Sequence, residues 1–249
     1  KEAPQIVLSQ RMIAKLEDNP FSYYRELRTA NPSPYMFYID FTDYIIFGAS
    51  PESLVQTTGK KVVTNPIAGT RPRGRTDEED FLLEKELLQD NKELGEHEML
   101  VELSKDDLKK VCEIESIHVP VLKDVVKYEH VMHIVSEVHG TLQEGQSSFD
   151  ALIACLPAGT VSGMPKQRAM QIINELETEK RGVYAGGIGY ISFNHDINLA
   201  IAIRSLIVKD GNAYLQTGAG IVTDSIPEKE YEETLHKAKS LTNINGKNN

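Results

Sequence analysis

Segments rich in β-branched and aromatic residues follow one another along this chain without a helical segment after each one. Those predicted as strands are 35–39, 44–47, 60–65, 188–193, 199–209 and 213–217. Strand-like segments separated by turns pair most simply as antiparallel neighbours. Because strands and helices are grouped rather than strictly alternating, the sequence predicts an α+β fold with large antiparallel sheets, in one continuous domain over residues 1–249.

Two longer segments, 5–12 and 131–142, are also expected to be extended. In the second, alternation places Met132 and Ile134 on one face of the strand and His133 on the other. His133 alternates with apolar neighbours, so it is interpreted either as a hydrogen-bonded core histidine or as an acid–base group.

The helices are predicted from apolar residues that recur every three or four positions. They are expected at 21–30, 77–103, 148–156, 165–177 and 227–241. The second is expected to break near Gly95, and Pro165 is expected in the first turn of the fourth, where its missing N–H is not needed. Segment 66–74, rich in glycine, proline and arginine, is expected to form a loop.

Charge and cysteine content exclude several functional classes. With 27 Lys and Arg against 37 Asp and Glu, the net charge is −10, which argues against a nucleic-acid or anionic-membrane binder because both need a basic face. The longest apolar run, 199–208, is interrupted by Arg204 and is shorter than the roughly 18 residues of a membrane span.

Cys112 and Cys155 lie in apolar segments, as expected of buried thiols in a reducing cytosol. The chain begins without Met or a signal peptide, so we expect a piece of a longer cytoplasmic protein.

Two predicted helices carry the same acidic pattern. Glu93 and Glu96 lie in one, Glu230 and Glu233 in the other, and each pair is spaced so that both side chains share one helix face. If the two faces meet, the carboxylates need a cation, and oxygen ligands at this density suit Mg²⁺. A solvated acidic face is the alternative for either pair. Glu233 is also followed by His236, but the second such pair that a di-iron site needs does not occur.

Three features near the end of the chain can meet an anion. Gly218 and Gly220 follow a predicted strand, where they form a tight turn or direct backbone N–H groups toward an anion, but the third glycine of a dinucleotide fingerprint is missing. Arg204 lies in an otherwise apolar strand, so it points to an edge or meets a carboxylate, including that of a ligand. Lys237 lies one turn after Glu233 and either pairs with it or adds positive charge nearby.

Nine motifs stand in a characteristic order along the chain. They are Gln5-Ile-Val-Leu-Ser-Gln-Arg11, Asn31-Pro-Ser-Pro-Tyr-Met36, Gly48-Ala-Ser-Pro-Glu52, Pro66-Ile-Ala-Gly-Thr-Arg-Pro-Arg-Gly74, Glu93-x-x-Glu-His97, His130-Val-Met-His-Ile-Val-Ser136, Gly159-Thr-Val-Ser-Gly-x-Pro-Lys166, Gly218-Ala-Gly220 and Pro227-x-x-Glu-x-x-Glu-Thr234. In this order the chain resembles the chorismate-utilising enzymes, and within them most closely the anthranilate synthase component I branch. The resemblance implies that the antiparallel sheets pack as a sandwich with helices outside.

The resemblance also implies a chorismate site between two sheets, with Mg²⁺ bound beside it. The implied metal ligands are Glu93, Glu96, Glu230 and Glu233. The residues implied in substrate binding are Ala68, Gly69, Tyr184, Arg204, Gly218, Ala219, Gly220 and Lys237. Glu52 is implied as the acid that assists departure of the ring hydroxyl, while the residues implied to position the ring and its leaving groups are Thr70, His133 and Thr160. A dianionic substrate needs such cations and N–H donors, and an allylic hydroxyl needs a proton before it leaves.

Two positions indicate the nucleophile. Members of the family that add water use a lysine base on the first strand, where this chain has Gln5, and many aminodeoxychorismate synthases carry a lysine where Ala68 stands. Without either lysine, the resemblance implies Mg²⁺-dependent conversion of chorismate and ammonia to anthranilate and pyruvate, the first step of tryptophan biosynthesis. A glutamine amidotransferase subunit, component II, would supply the ammonia. The alternatives are an aminodeoxychorismate synthase that works without the lysine and a non-catalytic fragment.

The resemblance finally implies half of a tryptophan inhibitor site. Its residues would be Pro34, Tyr35, Met36, Ile188 and Tyr190. Family members complete this site with a long N-terminal region that is not present in this sequence, so feedback inhibition is expected to be impaired.

Overall fold

The computed structural model describes residues 2–129 and 131–242, and this part of the chain forms two compact units. The first unit comprises the residues up to Pro51, Val161–Gly189 and the residues from Ala200 onward. The second comprises Glu52–Thr160 and Tyr190–Leu199. The single domain over residues 1–249 stays a prediction. His130, which opens one of the sequence motifs, lies outside the described residues.

Strands and helices are grouped along the chain, as the sequence predicted. In chain order the elements are β1 (Gln5–Lys15), α1 (Pro20–Ala30), β2 (Tyr35–Asp40), β3 (Ile45–Ser50), β4 (Ser53–Thr58), β5 (Lys61–Thr64), β6 (Ile67–Pro72), α2 (Asp77–Leu87), α3 (Asn91–Leu108), β7 (His118–Lys127), β8 (Val131–Thr141), α4 (Ser148–Cys155), α5 (Gly159–Ser162), β9 (Gly163–Met164), α6 (Lys166–Leu176), β10 (Gly187–Ile191), β11 (Ile197–Ile201), β12 (Ser205–Lys209), β13 (Asn212–Val222) and α7 (Pro227–Thr242). The described residues also include a short 3₁₀ helix at Ile114–Ser116.

Two large antiparallel sheets organise these elements, which confirms the predicted fold class. The first sheet has the order β2-β3-β12-β13-β1-β9 in the described part of the chain. The second has the order β10-β11-β4-β5-β8-β6, and β7 also pairs with β8. The longest pairing in the first sheet joins strands that are far apart in sequence, since Gln5 lies opposite Val222 and Lys15 opposite Asn212.

Strand β8 shows why its sequence forms a sheet with one buried face. Its residues alternate between buried and half-buried positions along the whole strand. Met132, Ile134 and Ser136 are buried, and His133 lies on the opposite face, as predicted. Met132 and Ile134 form a core cluster with Leu87 of α2.

The helix predicted at 77–103 is two helices, and the break does not lie at Gly95. Helix α2 ends at Leu87, and Asp90 then caps α3 by accepting hydrogen bonds from the backbone N–H groups of Lys92 and Glu93. An aspartate at this position satisfies N–H groups that the first turn leaves without partners. Gly95 remains inside α3 because a single glycine weakens a helix without ending it.

Three further predictions are corrected by the sheets. Segment 66–74 contains strand β6, which pairs with β8, rather than a loop throughout. Segment 199–209 is two strands, because Arg204 adopts a φ of 50° between β11 and β12. Gly218 and Gly220 continue β13 and lie opposite Ser9 and Val7 of β1, so they do not form a turn.

Smaller differences concern elements that the sequence did not indicate. Strands β4 and β7 were not predicted. Pro165 precedes α6 as its N-cap residue and does not lie in its first turn. Among the described residues, none of the helices is long and apolar enough to cross a membrane.

Candidate active site

In the second unit, His133, Thr70 and Gly69 lie together where β6 pairs with β8. The Nδ1 atom of His133 is 3.0 Å from the Thr70 hydroxyl and 3.1 Å from the Gly69 carbonyl oxygen. The pairing register places Thr70 opposite His133 and Ala68 opposite Ile134, with an irregularity between Ala68 and Thr70. Gly69 occupies this irregularity with a φ of 69°, a conformation that favours glycine.

Two other predicted residues of the second unit have buried polar groups. Glu52 is the first residue of this unit and is only 7% exposed. The Thr160 hydroxyl is also buried, and within the described part of the chain it has no hydrogen-bond partner. Since buried polar groups are almost always hydrogen-bonded, a ligand group would complete the Thr160 site.

Glu93 and Glu96 of α3 lie beside an arginine that the sequence did not assign to the site. Arg71 of β6 donates to Asp90 at 2.7 Å and to Glu86 at 3.0 Å, and its guanidinium lies 3.5 Å from the Glu93 carboxylate. Burial and the charge of Glu96 raise the pKa of Glu93 above its usual value, although Arg71 opposes them. A carboxyl group whose ionisation is disfavoured by burial and by a neighbouring carboxylate fits a cation site.

In the first unit, Tyr184, Arg204 and Gly218 lie together. Burial raises the pKa of Tyr184 to about 12, so the phenol keeps its proton at neutral pH. The positive charges of Arg181 and Arg204 act in the opposite direction, which indicates that both guanidinium groups lie near the phenol. A side-chain carbon added to Gly218 would stand 2.6 Å from the Tyr184 hydroxyl oxygen, so only a glycine leaves room for this ring.

Helix α7 brings Lys237 to the same backbone. The Lys237 ammonium donates to the Gly218 carbonyl oxygen at 2.9 Å and pairs with Glu233 at 2.5 Å. Of the two interpretations that the sequence left open for Lys237, the ion pair with Glu233 is therefore present in the structure. Thr234 fixes the helix on the first sheet, because its hydroxyl accepts from Gln10 at 2.5 Å and its carbonyl oxygen accepts from the Thr217 hydroxyl at 2.9 Å.

The remaining predicted positions differ in exposure. Ala219 is buried in β13, whereas Gly220 and Glu230 are half-buried. Glu233 is exposed despite its ion pair. Across the described residues, no group of three or more His, Cys, Asp or Glu side chains is close enough to hold a metal ion; two of the predicted ligands lie on α3 and two on α7.

The residues of the predicted inhibitor half-site occupy different environments. In the first unit, Ile188 belongs to a core cluster, and Tyr35 packs against that cluster. Met36 packs against a different core cluster, which contains Phe47. Pro34 is exposed. In the second unit, Tyr190 is 62% exposed. The inhibitor site itself stays a prediction.

Comparison with known proteins agrees with the motifs. The family model of the chorismate binding enzyme matches residues 2–243, nearly the whole chain. The chain belongs to this family. The match to the chorismate binding enzyme model extends through the segments that carry Glu52, His133, Arg204 and Lys237.

Individual members of the chorismate binding enzyme family show the same likeness. The chain is 55% identical over 237 residues to anthranilate synthase component 1 of Acetivibrio thermocellus, which covers 95% of this chain and 48% of that protein. It also matches the crystal structure of anthranilate synthase component I from Streptococcus pneumoniae with a TM-score of 0.91 and 53% identity, over 97% of this chain and 53% of that one. The menaquinone-specific isochorismate synthase of Escherichia coli matches with a TM-score of 0.88 at 27% identity, over 98% of this chain and 56% of that one. The chain thus spans about half the length of the curated relatives it matches.

Sequence reasoning missed Arg181, which lies in the first unit next to Tyr184. Its guanidinium carbon is 5.4 Å from the centre of the Tyr184 ring. The only signal in the sequence was an arginine three residues before a tyrosine in a glycine-rich segment, and that spacing does not by itself indicate a contact.

Proposed function

We propose that this chain is the catalytic portion of an anthranilate synthase component I and converts chorismate and ammonia to anthranilate and pyruvate. The identity of more than half of the aligned residues to anthranilate synthase component 1 carries the proposal. The isochorismate synthase neighbour has a similar fold at much lower identity, so the fold alone does not select the reaction.

The residues of each unit have chemistry that suits a dianionic substrate. Arg204 and the protonated Tyr184 would bind the pyruvyl carboxylate through charge-assisted hydrogen bonds. Lys237 and the backbone of Gly218–Gly220 would contact the carboxylates. In the second unit, His133, Thr70 and Thr160 would position the ring, and Glu52 would give a proton to the departing ring hydroxyl.

Magnesium is part of this proposal. The donors available are carboxylate oxygens, which Mg²⁺ prefers, and the raised pKa of Glu93 supports a cation beside α3. Glu93, Glu96, Glu230 and Glu233 would hold the ion. When bound, Mg²⁺ would neutralise the ring carboxylate of chorismate.

Ammonia is the proposed nucleophile because Gln5 and Ala68 stand where the lysines of other branches would be. A glutamine amidotransferase subunit would supply it. We place the protein in the cytoplasm, since Cys112 and Cys155 are free, buried thiols. The net charge of −10 supports neither a nucleic-acid partner nor an anionic membrane.

The test is turnover by the purified chain with chorismate, ammonium and Mg²⁺. We expect fluorescent anthranilate at a rate that rises with pH as the fraction of free NH₃ rises, and loss of turnover when Mg²⁺ is chelated. Glu233→Gln should abolish turnover and reduce the rise in melting temperature that Mg²⁺ causes. Isochorismate as main product, an aminated product that retains the pyruvyl group, or no reaction would each refute the proposal.

A further inference from the structure

Arg181 is surrounded by acceptors that take four of the five N–H groups of its guanidinium. It donates to the two carboxylate oxygens of Glu177 at 2.6 and 2.9 Å, to the Val161 carbonyl at 2.5 Å and to the Val7 carbonyl at 2.7 Å. Val7 lies in β1, and Val161 follows Thr160 in α5. One side chain therefore ties three separate segments of the first unit together.

Glu177 also accepts hydrogen bonds from β1. Its carboxylate accepts from the backbone N–H and from the hydroxyl of Ser9, both at 2.8 Å. Burial alone would raise the pKa of Glu177, but the hydrogen bonds from Arg181 and Ser9 outweigh it and the pKa is lowered. The Glu177 carboxylate is thus held in its charged form, and hydrogen bonds hold the pair in place.

Tyr184 lies directly against this fixed guanidinium. The cation is 5.4 Å from the ring centre, within the range of a favourable cation–π contact. The hydroxyl end of the same ring stands against the backbone of Gly218. The ring is therefore bounded at its face by Arg181 and at its hydroxyl by β13.

We propose that Arg181 is a positioning residue that aims the Tyr184 hydroxyl at the substrate carboxylate. This inference rests on the proposed function, because it takes Tyr184 to bind chorismate. Arginine suits the role because its planar fork donates to Glu177 and to two carbonyl oxygens at once while its guanidinium carbon lies over the Tyr184 ring. A lysine keeps the charge but cannot make the same set of contacts.

A double-mutant cycle separates positioning from simple structural support. The variants are Arg181→Lys, Tyr184→Phe and the double substitution, and kcat and KM for chorismate are measured with saturating ammonium and Mg²⁺. We expect Arg181→Lys and Tyr184→Phe each to raise KM about tenfold while kcat changes less than about twofold, as for loss of an interaction made equally in ground and transition states. In the Tyr184→Phe background, Arg181→Lys should change KM by less than about twofold, because residues that act through one another are not additive.

The matched control is Arg168→Lys. Arg168 also forms ion pairs in the first unit, with Glu2 and Glu175, but no aromatic ring lies over it in the described part of the chain. We expect KM to stay within about twofold of the parental value. Should Arg181→Lys lack native circular dichroism, Glu177→Gln takes its place in the cycle with the same expected coupling.

Equal tenfold effects of the Arg181 substitution in both backgrounds would overturn the inference and leave the proposed function standing. Absence of chorismate turnover in the parental chain would instead refute the proposed function, and the inference would fall with it. A normal KM for Arg181→Lys beside a raised KM for Tyr184→Phe would also overturn the inference alone.

Discussion

His133 has a defined proton position in its neutral form. The Gly69 carbonyl oxygen, 3.1 Å from Nδ1, can only accept a hydrogen bond. Nδ1 therefore carries the proton, and Nε2 carries the lone pair. The contacts with Gly69 and Thr70 fit both interpretations that the sequence left open, so the role of His133 stays a prediction; in acid–base work Nε2 would be the atom that acts.

We predict that His133→Asn lowers kcat roughly 10²- to 10⁴-fold, the usual contribution of a general acid or base. The amide of asparagine replaces the Nδ1–H donor but offers nothing at Nε2. His139→Asn on the same strand is the control, since His139 pairs with Glu137 at 2.9 Å away from this cluster. Steady-state kinetics and thermal melts provide the measurement; a His133→Asn variant with near-parental kcat would contradict the assignment.

Cys112 should be chemically inert in the native protein. Burial, with a smaller contribution from the charge of Glu113, raises the pKa of its thiol to about 11. Reactivity therefore increases only as pH rises toward that value, and at pH 8 about one thiol in a thousand is ionised. Cys155 is buried too. We predict no labelling by a thiol reagent at pH 8 without denaturant and two labelled thiols in urea; rapid labelling of the native protein would disprove the burial.

A hydrogen-bonded cluster joins three elements of the second unit. The Ser136 hydroxyl of β8 lies 2.6 Å from Nε2 of His97 in α3, and it accepts from the backbone N–H of Lys123 in β7 at 2.9 Å. His97 is fully buried, and its pKa is lowered to about 4, chiefly by burial. The cluster therefore fixes α3, which carries Glu93 and Glu96, to the sheet.

We predict that Ser136→Ala destabilises the protein by about 1–3 kcal/mol, because it leaves the buried His97 ring and the half-buried N–H of Lys123 without this partner. Ser104→Ala is the control on α3, where removal of a half-buried hydroxyl from a helix should change stability by less than about 0.5 kcal/mol. Urea denaturation of both variants measures the difference. Equal stability of the two variants would show that the cluster contributes little.

Element types followed from local patterns, but strand partners did not. The alternation in β8 and the turn prolines before β2 predicted those strands correctly. Gly218 and Gly220 resembled a turn because glycine is rare in strands, yet their pairing with β1 overrides that preference. Segment 66–74 was misjudged for the same reason, since β6 is stabilised by its distant partner β8.

The candidate site was predicted in part. The spacing of the Glu93 and Glu96 pair and the isolation of Arg204 among apolar residues identified them as candidates. Arg71 escaped notice because its partner Asp90 is brought close only by the fold. Glu177 and Arg181 stand only four residues apart, but the contacts that hold the pair against Val7 and Ser9 depend on the fold as well. Ion pairs between distant segments leave no pattern in a single sequence.

At the scale of the whole molecule, the first sheet depends on strands from distant parts of the chain. Strand β13 lies between β12 and β1, whereas β2 lies at the edge. We predict that amides of β13 exchange with deuterium only through global unfolding, and that the outer amides of β2 exchange through smaller openings. Exchange mass spectrometry over a range of urea concentrations measures both; β13 amides that exchange as fast as those of β2 would contradict the prediction.

The pairing of β1 with β13 also has a consequence for folding during synthesis of the protein on the ribosome. Synthesis proceeds at about 5–20 residues per second, so roughly 10–40 s pass between the appearance of Gln5 and that of Val222, its partner in the sheet. Throughout that interval the edge of β1 that pairs with β13 is open to any other strand that the growing polypeptide meets. The yield of functional protein in a cell should therefore depend on how well the nascent chain is shielded by chaperones, a property of timing that the stability of the finished molecule does not determine.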